Sequence, residues 1–184
     1  MGATAHLKRW LTAGVAIPIL VGLIYFSAVW VFALVIALVA VVALYEYYRI
    51  VLPETAGGTW WLTRVPGFFG GMAVVLAGIS GRFDIICLTA SGLLIFCGTC
   101  ALLTYKDHPN AFDTVIKQIT GLVYLPLGLS LAVMIHGGAH GATWIFLLLI
   151  IVFLGDTGAY YAGTYLGKHK LLPAVSPGKT VQGA

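Results

Sequence analysis

Residues 155–180 hold the side chains best suited to chemistry. An acid, Asp156, stands at the end of an apolar run. Lys168, His169, Lys170 and Lys179 follow in a segment broken by Gly167, Pro173, Pro177 and Gly178. Lysines set among glycine, proline and serine suit a polyphosphate: the ammonium groups neutralise charge, and glycine lets backbone N–H groups approach oxygens. The same composition also suits a juxtamembrane patch that attracts anionic lipid head groups. Local chemistry leaves both readings open. Gly178-Lys179-Thr180 is not the end of a P-loop, because that motif needs a glycine where Pro173 stands and a strand before it.

The segment around Asp156 reads as a helix with two distinct rows. Gly155, Ala159, Gly163 and Gly167 recur every four residues, a stripe of small side chains that lets another helix approach closely. Asp156, Tyr160 and Thr164 run beside it at the same spacing and share a neighbouring face. An acid at the membrane edge is costly unless it is paired, hydrated or bound to a metal, so Asp156 is a candidate functional residue. The segment after Gly167 has little apolar surface to bury and is expected to be disordered by itself.

What positions these residues is a membrane domain. Hydrophobic residues make up 60% of the chain and charged residues 9%, against about 25% charged in a soluble domain. Apolar runs approach or exceed the ~20 residues that cross the hydrocarbon core as a helix, and an open sheet cannot satisfy its backbone in lipid. The fold class is therefore all-α, a polytopic transmembrane helical bundle of about six spans. The spans are expected at Trp10–Phe26, Val29–Tyr48, Val65–Gly81, Ile85–Tyr105, Gln118–Ile135 and Ala142–Gly155, with a fold-back near Ser27. Residues 1–155 form the bundle, and residues 156–184 form the start of a site that faces the cytoplasm. The uncharged stretch from Trp10 to Tyr45 is too long for a cleaved signal core.

Loop charges set the orientation. With the N-terminus in the cytoplasm, Lys8, Arg9, Arg49, Arg64, Lys106, Lys117, Lys168, Lys170 and Lys179 lie inside and Arg82 alone lies outside. This asymmetry follows the positive-inside rule and puts the C-terminal lysines where nucleotides are. The expected location is the cytoplasmic (inner) membrane.

Other candidates read more plainly as structure. Cys97-x-x-Cys100 has redox spacing but sits at membrane depth, where small packing residues are the better reading. His136 and His140 fall in a Gly-rich outer loop without a nearby carboxylate or cysteine. Glu46 and Arg49 are expected to pair beside an interfacial belt of Tyr45, Tyr47 and Tyr48. Lys106, Asp107, His108, Asp113 and Lys117 read as a solvated mixed-sign loop, and Pro18, Pro66 and Pro126 as packing kinks.

Three blocks carry a resemblance: Gly-Asp-Thr-Gly-Ala-Tyr at 155–160, Gly-Lys-His-Lys-Leu at 167–171 and Val-Ser-Pro-Gly-Lys-Thr at 175–180. At this spacing the chain resembles the phosphatidate cytidylyltransferase family (CDP-diacylglycerol synthases). Looser likeness extends to Tyr45-Glu46-Tyr47 and Tyr124-Leu125-Pro126. The resemblance implies transfer of a cytidylyl group from CTP to phosphatidate, giving CDP-diacylglycerol and pyrophosphate with Mg²⁺. It also implies a polar cavity among transmembrane helices that opens to the cytoplasm. By that likeness Lys168, Lys170 and Lys179 bind the triphosphate. Ser176, Gly178 and Thr180 hydrogen-bond the nucleotide, and Asp156 helps hold the metal. The family's acid-rich Pro-Gly-His-Gly-Gly signature has no match in residues 1–184. The chain is therefore expected to be the N-terminal part of a longer frame, incomplete at the C-terminus and without most of the metal-binding carboxylates; its catalytic residues are left unassigned. The expected partners are CTP, phosphatidate and membrane lipids. No nucleic acid is expected, and the Gly163-x-x-x-Gly167 face can pack within the chain or against a second copy. Two alternatives stand beside this one: a non-enzymatic membrane module, such as a transporter half or lipid-binding scaffold, and cytidylyl transfer to another lipid phosphate.

Overall fold

A computed structural model describes residues 3–52, 60–104, 111–173 and 176–184. Seven helices come first: α1 (Ala3–Phe26), α2 (Val29–Val51), α3 (Trp60–Ala77), α4 (Phe83–Thr104), α5 (Ala111–Tyr124), α6 (Pro126–His136) and α7 (Gly141–Tyr165). A short 3₁₀ turn, Gly78–Ser80, joins α3 to α4. Two strands, β1 (Lys170–Leu172) and β2 (Ser176–Thr180), and a 3₁₀ turn at Val181–Gly183 complete the described chain.

By length and composition, four segments can each cross a membrane: Val29–Val51, Phe83–Cys100, Phe112–His136 and Gly141–Tyr165. Gly14–Phe26 and Arg64–Ser80 are shorter apolar helices, so the apolar segments match the helical bundle read from the sequence. The chain is an integral membrane protein. The fold-back falls where expected: Ala28 is extended, and its carbonyl accepts from Val31 and Phe32 to start α2. The fifth span begins earlier than predicted and is broken at Leu125 (φ −100°, ψ −68°). Pro126 follows as the first residue of α6, where its missing N–H is tolerated. The ladder continues across the break, from Leu125 to Gly121 and from Leu129 to Leu125, so this proline lies within one span and does not end it.

The chain divides into two compact units, Met1–Ala142 and Thr143–Ala184. In the first, α2 is the central helix. Ala33, Ala37, Ala40, Leu44 and Tyr48 are buried at helical spacing along one face. Alanines in that row let α3 and α6 approach closely, which is how apolar helices gain packing energy in lipid. At the α2 C-terminal end, Leu44, Tyr48, Leu52 and Leu122 form a buried cluster with Phe68, Leu93 and Leu125 around it. Gly67 lies directly against the Tyr48 ring, and Tyr47 Oη donates to the Lys117 carbonyl at 3.0 Å. The belt expected from Tyr45, Tyr47 and Tyr48 therefore splits. Tyr45 is exposed, Tyr47 ties α2 to α5, and Tyr48 belongs to the core.

The Tyr48 hydroxyl is buried with no hydrogen-bond partner among the described residues. Its ring, not its oxygen, must carry its contribution. Tyr48→Ala is expected to cost about 3–5 kcal/mol, while Tyr48→Phe should stay within about 1 kcal/mol of the parent or exceed it. Thermal denaturation in detergent checks both, and a large loss from Tyr48→Phe would show that the hydroxyl contributes.

Charges are also placed differently from the sequence reading. No ion pair joins Glu46 and Arg49 among the described residues; both side chains are exposed. Arg64 instead donates to the Leu52 carbonyl at 2.7 Å, a cation at the C-terminal end of α2 where helix carbonyls are unpaired. Asp113 and Lys117 are on α5, paired at 2.7 Å with i,i+4 spacing, and not in a loop. Lys106, Asp107 and His108 lie outside the described residues. Arg82 pairs with Asp84 in the first turn of α4.

His136 is the last residue of α6 and is buried, whereas His140 is exposed with φ 57°. The His136 ring stacks on Phe32 with centroids 4.1 Å apart, and its Nε2 lies 3.0 Å from the Ile24 carbonyl. It ties α6 to the α1–α2 turn. No group of three or more His, Cys, Asp and Glu suited to a metal occurs among the described residues.

Candidate functional site

The second unit, Thr143–Ala184, contains every site residue singled out after the apolar spans. α7 is apolar around its circumference as far as Leu154, with Leu147, Leu148, Ile150, Ile151 and Phe153 all exposed. Its last turns change character. Tyr160 and Tyr161 meet edge to face at 5.6 Å, and Tyr161 stacks on Tyr165 at 6.0 Å. Thr164 Oγ1 donates back to the Tyr160 carbonyl at 2.8 Å. That bond turns the Thr164 hydroxyl toward its own helix.

Beyond Tyr165 the chain reverses into an antiparallel hairpin. Lys170 stands opposite Thr180 and Leu172 opposite Ser176, with a bulge between the two pairs. The Val181 amide adds a further bond to the His169 carbonyl at 2.9 Å. Residues 174–175, including Val175 of the third sequence block, lie outside the described residues.

The stripe of small residues receives this hairpin, and no second helix packs there among the described residues of the unit. A Cβ on Gly167 would lie 2.8 and 2.9 Å from the Thr180 side chain and would also strike the Gly163 carbonyl. A Cβ on Gly183 would lie 2.7 Å from the Ala159 carbonyl oxygen and 2.7 Å from Gly163 Cα. Thr180 is 7% exposed, with its Oγ1 3.5 Å from the Gly163 carbonyl. The expectation of a disordered tail is thus corrected. The tail lacks apolar side chains to bury, but it buries backbone against backbone because glycine occupies both surfaces. Gly155 begins the stripe yet has nothing within 4 Å of a Cβ position, so the contact starts at Ala159.

The hairpin brings Lys168, Lys170 and Lys179 onto one short stretch of structure, all three exposed. Ser176 is half-buried and Gly178 exposed. Thr180 is buried against α7, so its side chain acts first as an anchor. Asp156 is exposed on α7, seven residues before Gly163. That separation is about 10 Å along the axis at 1.5 Å per residue. Among the described residues no ion pair links Asp156 to a lysine, and the lysines carry no carboxylate partner there. The unit therefore offers unpaired positive charge at one end and a single carboxylate along the helix.

That donor set limits the metal chemistry. Mg²⁺ prefers octahedral oxygen ligation, keeps several waters, and is commonly held by one or two carboxylates together with substrate phosphates. Asp156 fits one such ligand beside a polyphosphate. The described residues do not make a complete protein cage.

Gln182 is a participant that the sequence reading missed. Its side-chain oxygen accepts from the Lys168 amide at 3.1 Å and from the His169 amide at 3.5 Å. No periodicity or motif spacing marks it; the contact exists only because the hairpin folds back.

Residues 7–184 match the cytidylyltransferase family. The chain is 26% identical to the phosphatidate cytidylyltransferase of Mycobacterium bovis over 193 residues, covering 98% of this chain and 62% of that protein. Its counterpart in Mycobacterium tuberculosis H37Rv gives the same identity, with 58% of that protein covered. A 73-residue stretch is 40% identical to the Haemophilus influenzae enzyme, covering 40% of this chain and 24% of that protein. The chain thus spans about three-fifths of the length of the two mycobacterial relatives. No solved structure matches.

Proposed function

The chain belongs to the cytidylyltransferase family, and from that membership we propose that it carries the polyphosphate-binding part of a membrane enzyme that makes CDP-diacylglycerol from CTP and phosphatidate. A phosphate oxygen of phosphatidate attacks the α-phosphorus of CTP, the bond to the β-phosphate oxygen breaks, and pyrophosphate leaves. Such a transfer depends on positioning and charge neutralisation more than on covalent help from the protein. The observation that carries the reading is the gathering of Lys168, Lys170 and Lys179 on a hairpin seated at the end of a membrane-crossing helix.

Each group has a role in this reading. Lys168, Lys170 and Lys179 neutralise the triphosphate and hold the departing pyrophosphate. Ser176 and the backbone at Gly178 hydrogen-bond the nucleotide, and Thr180 keeps the strand against α7. Asp156 holds Mg²⁺, which supplies charge neutralisation at the phosphate oxygens. The apolar circumference of α7 faces lipid or neighbouring helices, so the diacylglycerol tails of phosphatidate reach the site without leaving the bilayer. The loop charges support placement in the cytoplasmic membrane with the N-terminus and the lysines on the cytoplasmic side.

Lys179→Ala tests the assignment. In the full-length gene product, loss of one charged contact to the triphosphate is expected to raise the KM for CTP about tenfold or more. The KM for phosphatidate should stay near its parent value. Unchanged CTP kinetics would remove Lys179 from the site.

A further inference from the structure

We propose that Gln182 is a positioning residue for the lysine cluster, holding the turn that follows α7 and with it the backbone that carries Lys168 and Lys170 beside the strand that carries Lys179. The inference rests on the polyphosphate reading above and adds a residue that neither the motifs nor the family match assigns.

The argument is geometric. α7 ends at Tyr165, and the last helical-type bond in that region runs from the Leu166 amide to the Ala162 carbonyl. The amides of Lys168 and His169 come after that ladder and before β1. The Gln182 side-chain oxygen takes both of them. On the carbonyl side of the same residue, His169 accepts from the Val181 amide. Residues 181 and 182 thus grip His169 from two sides, with a lysine immediately before and after it. Gly183 follows directly, pressed against Ala159 and Gly163. The grip is therefore referred to the α7 backbone and does not float with the hairpin.

The chemistry of the group matters as much as its place. An amide oxygen accepts two N–H bonds without carrying charge. It orders the backbone between Lys168 and Lys170 and leaves both ammonium groups free for ligand oxygens. Without the acceptor, two consecutive N–H groups lose their partner and the lysines sample more positions. Anion binding then incurs that ordering cost each time.

The test uses the full-length gene product in membranes or micelles, with Gln182→Met, Gln182→Glu and Lys179→Ala compared. Methionine keeps the length but removes the acceptor; glutamate keeps an acceptor oxygen at the same reach. Gln182→Met is expected to raise the KM for CTP about tenfold and weaken inhibition by inorganic pyrophosphate by a similar factor, the loss of two neutral hydrogen bonds. The KM for phosphatidate should not move, and Gln182→Glu should stay within about threefold of the parent. Amide hydrogen exchange should show Lys168 and His169 protected in the parent protein and unprotected in Gln182→Met. Three results would each overturn the proposal: parent-like CTP and pyrophosphate constants in Gln182→Met, a fall in turnover with both constants unchanged, or unprotected Lys168 and His169 amides in the parent. The last reading stands even where a variant fails to accumulate. Lys179→Ala separates the two levels. If it shifts the CTP and pyrophosphate constants while Gln182→Met does not, only the role of Gln182 fails. If neither variant shifts them, the polyphosphate assignment fails with it.

Discussion

Gly183→Val should lower CTP-dependent turnover about a hundredfold, the scale expected when catalytic groups are displaced by roughly an ångström. The added side chain has nowhere to go. Its Cβ would stand 2.7 Å from the Ala159 carbonyl oxygen and 2.9 Å from the Gly163 nitrogen, and both are main-chain atoms of a helix that cannot step aside. The 3₁₀ turn must lift off α7, taking Thr180 and the register of β2 with it. Residues Met1–Ala142 pack as a separate unit, so helix content by circular dichroism should be unchanged while proteolysis of the tail accelerates. Gly155→Val is the matched control. It adds the same side chain to the same helix where nothing lies within 4 Å, and it should leave the tail protected. Full turnover in Gly183→Val would show that the seating of the hairpin is irrelevant to activity.

If Asp156 holds the metal as proposed, Asp156→Asn should lower turnover by about a hundredfold and raise the half-saturating Mg²⁺ concentration, since the bound ion contributes several kcal/mol of charge stabilisation at the phosphoryl oxygens. The substitution keeps the shape of the side chain and removes its charge. The side chain is exposed, and no ion pair among the described residues depends on it, so folding should be indifferent. A Mg²⁺ titration of activity beside a thermal denaturation curve checks both halves. Loss of stability with an unmoved Mg²⁺ titration would assign Asp156 to structure.

How much of this was legible in advance differs by element. Helices were read well because lipid leaves the backbone few choices, and long apolar runs announce themselves. Leu125 shows the limit: Pro126 flagged a kink, but where α5 stops and α6 starts depends on the local bond pattern across it. The row Gly155, Ala159, Gly163, Gly167 reads in sequence as a seat for another helix, but only its part from Ala159 onward is approached closely, and small residues state only that something comes near. Composition could not tell that the visitor is the chain's own strand, because that strand docks through backbone and shows no apolar signature. Tyr48 and His136 were read as interfacial or loop residues from their neighbours in sequence. Each is instead fixed by a partner far along the chain, Gly67 for one and Phe32 with Ile24 for the other. The lysines and Asp156 were visible from residue type alone. Gln182 was not, since an amide has no meaning until its two donors are folded beside it.

The seat of the hairpin has an evolutionary corollary. Glycines and a buried threonine do the attaching, while Lys179 and Val181 on either side of Thr180 are exposed. The residues that hold the segment to α7 are therefore not the ones it exposes. Side chains at the exposed positions can be exchanged without disturbing the mount. The mounting positions are nearly frozen, because each change at Gly167 or Gly183 adds atoms to a gap that has none to spare. A lineage retaining this scaffold can vary those exposed side chains long before it can vary how the segment is held.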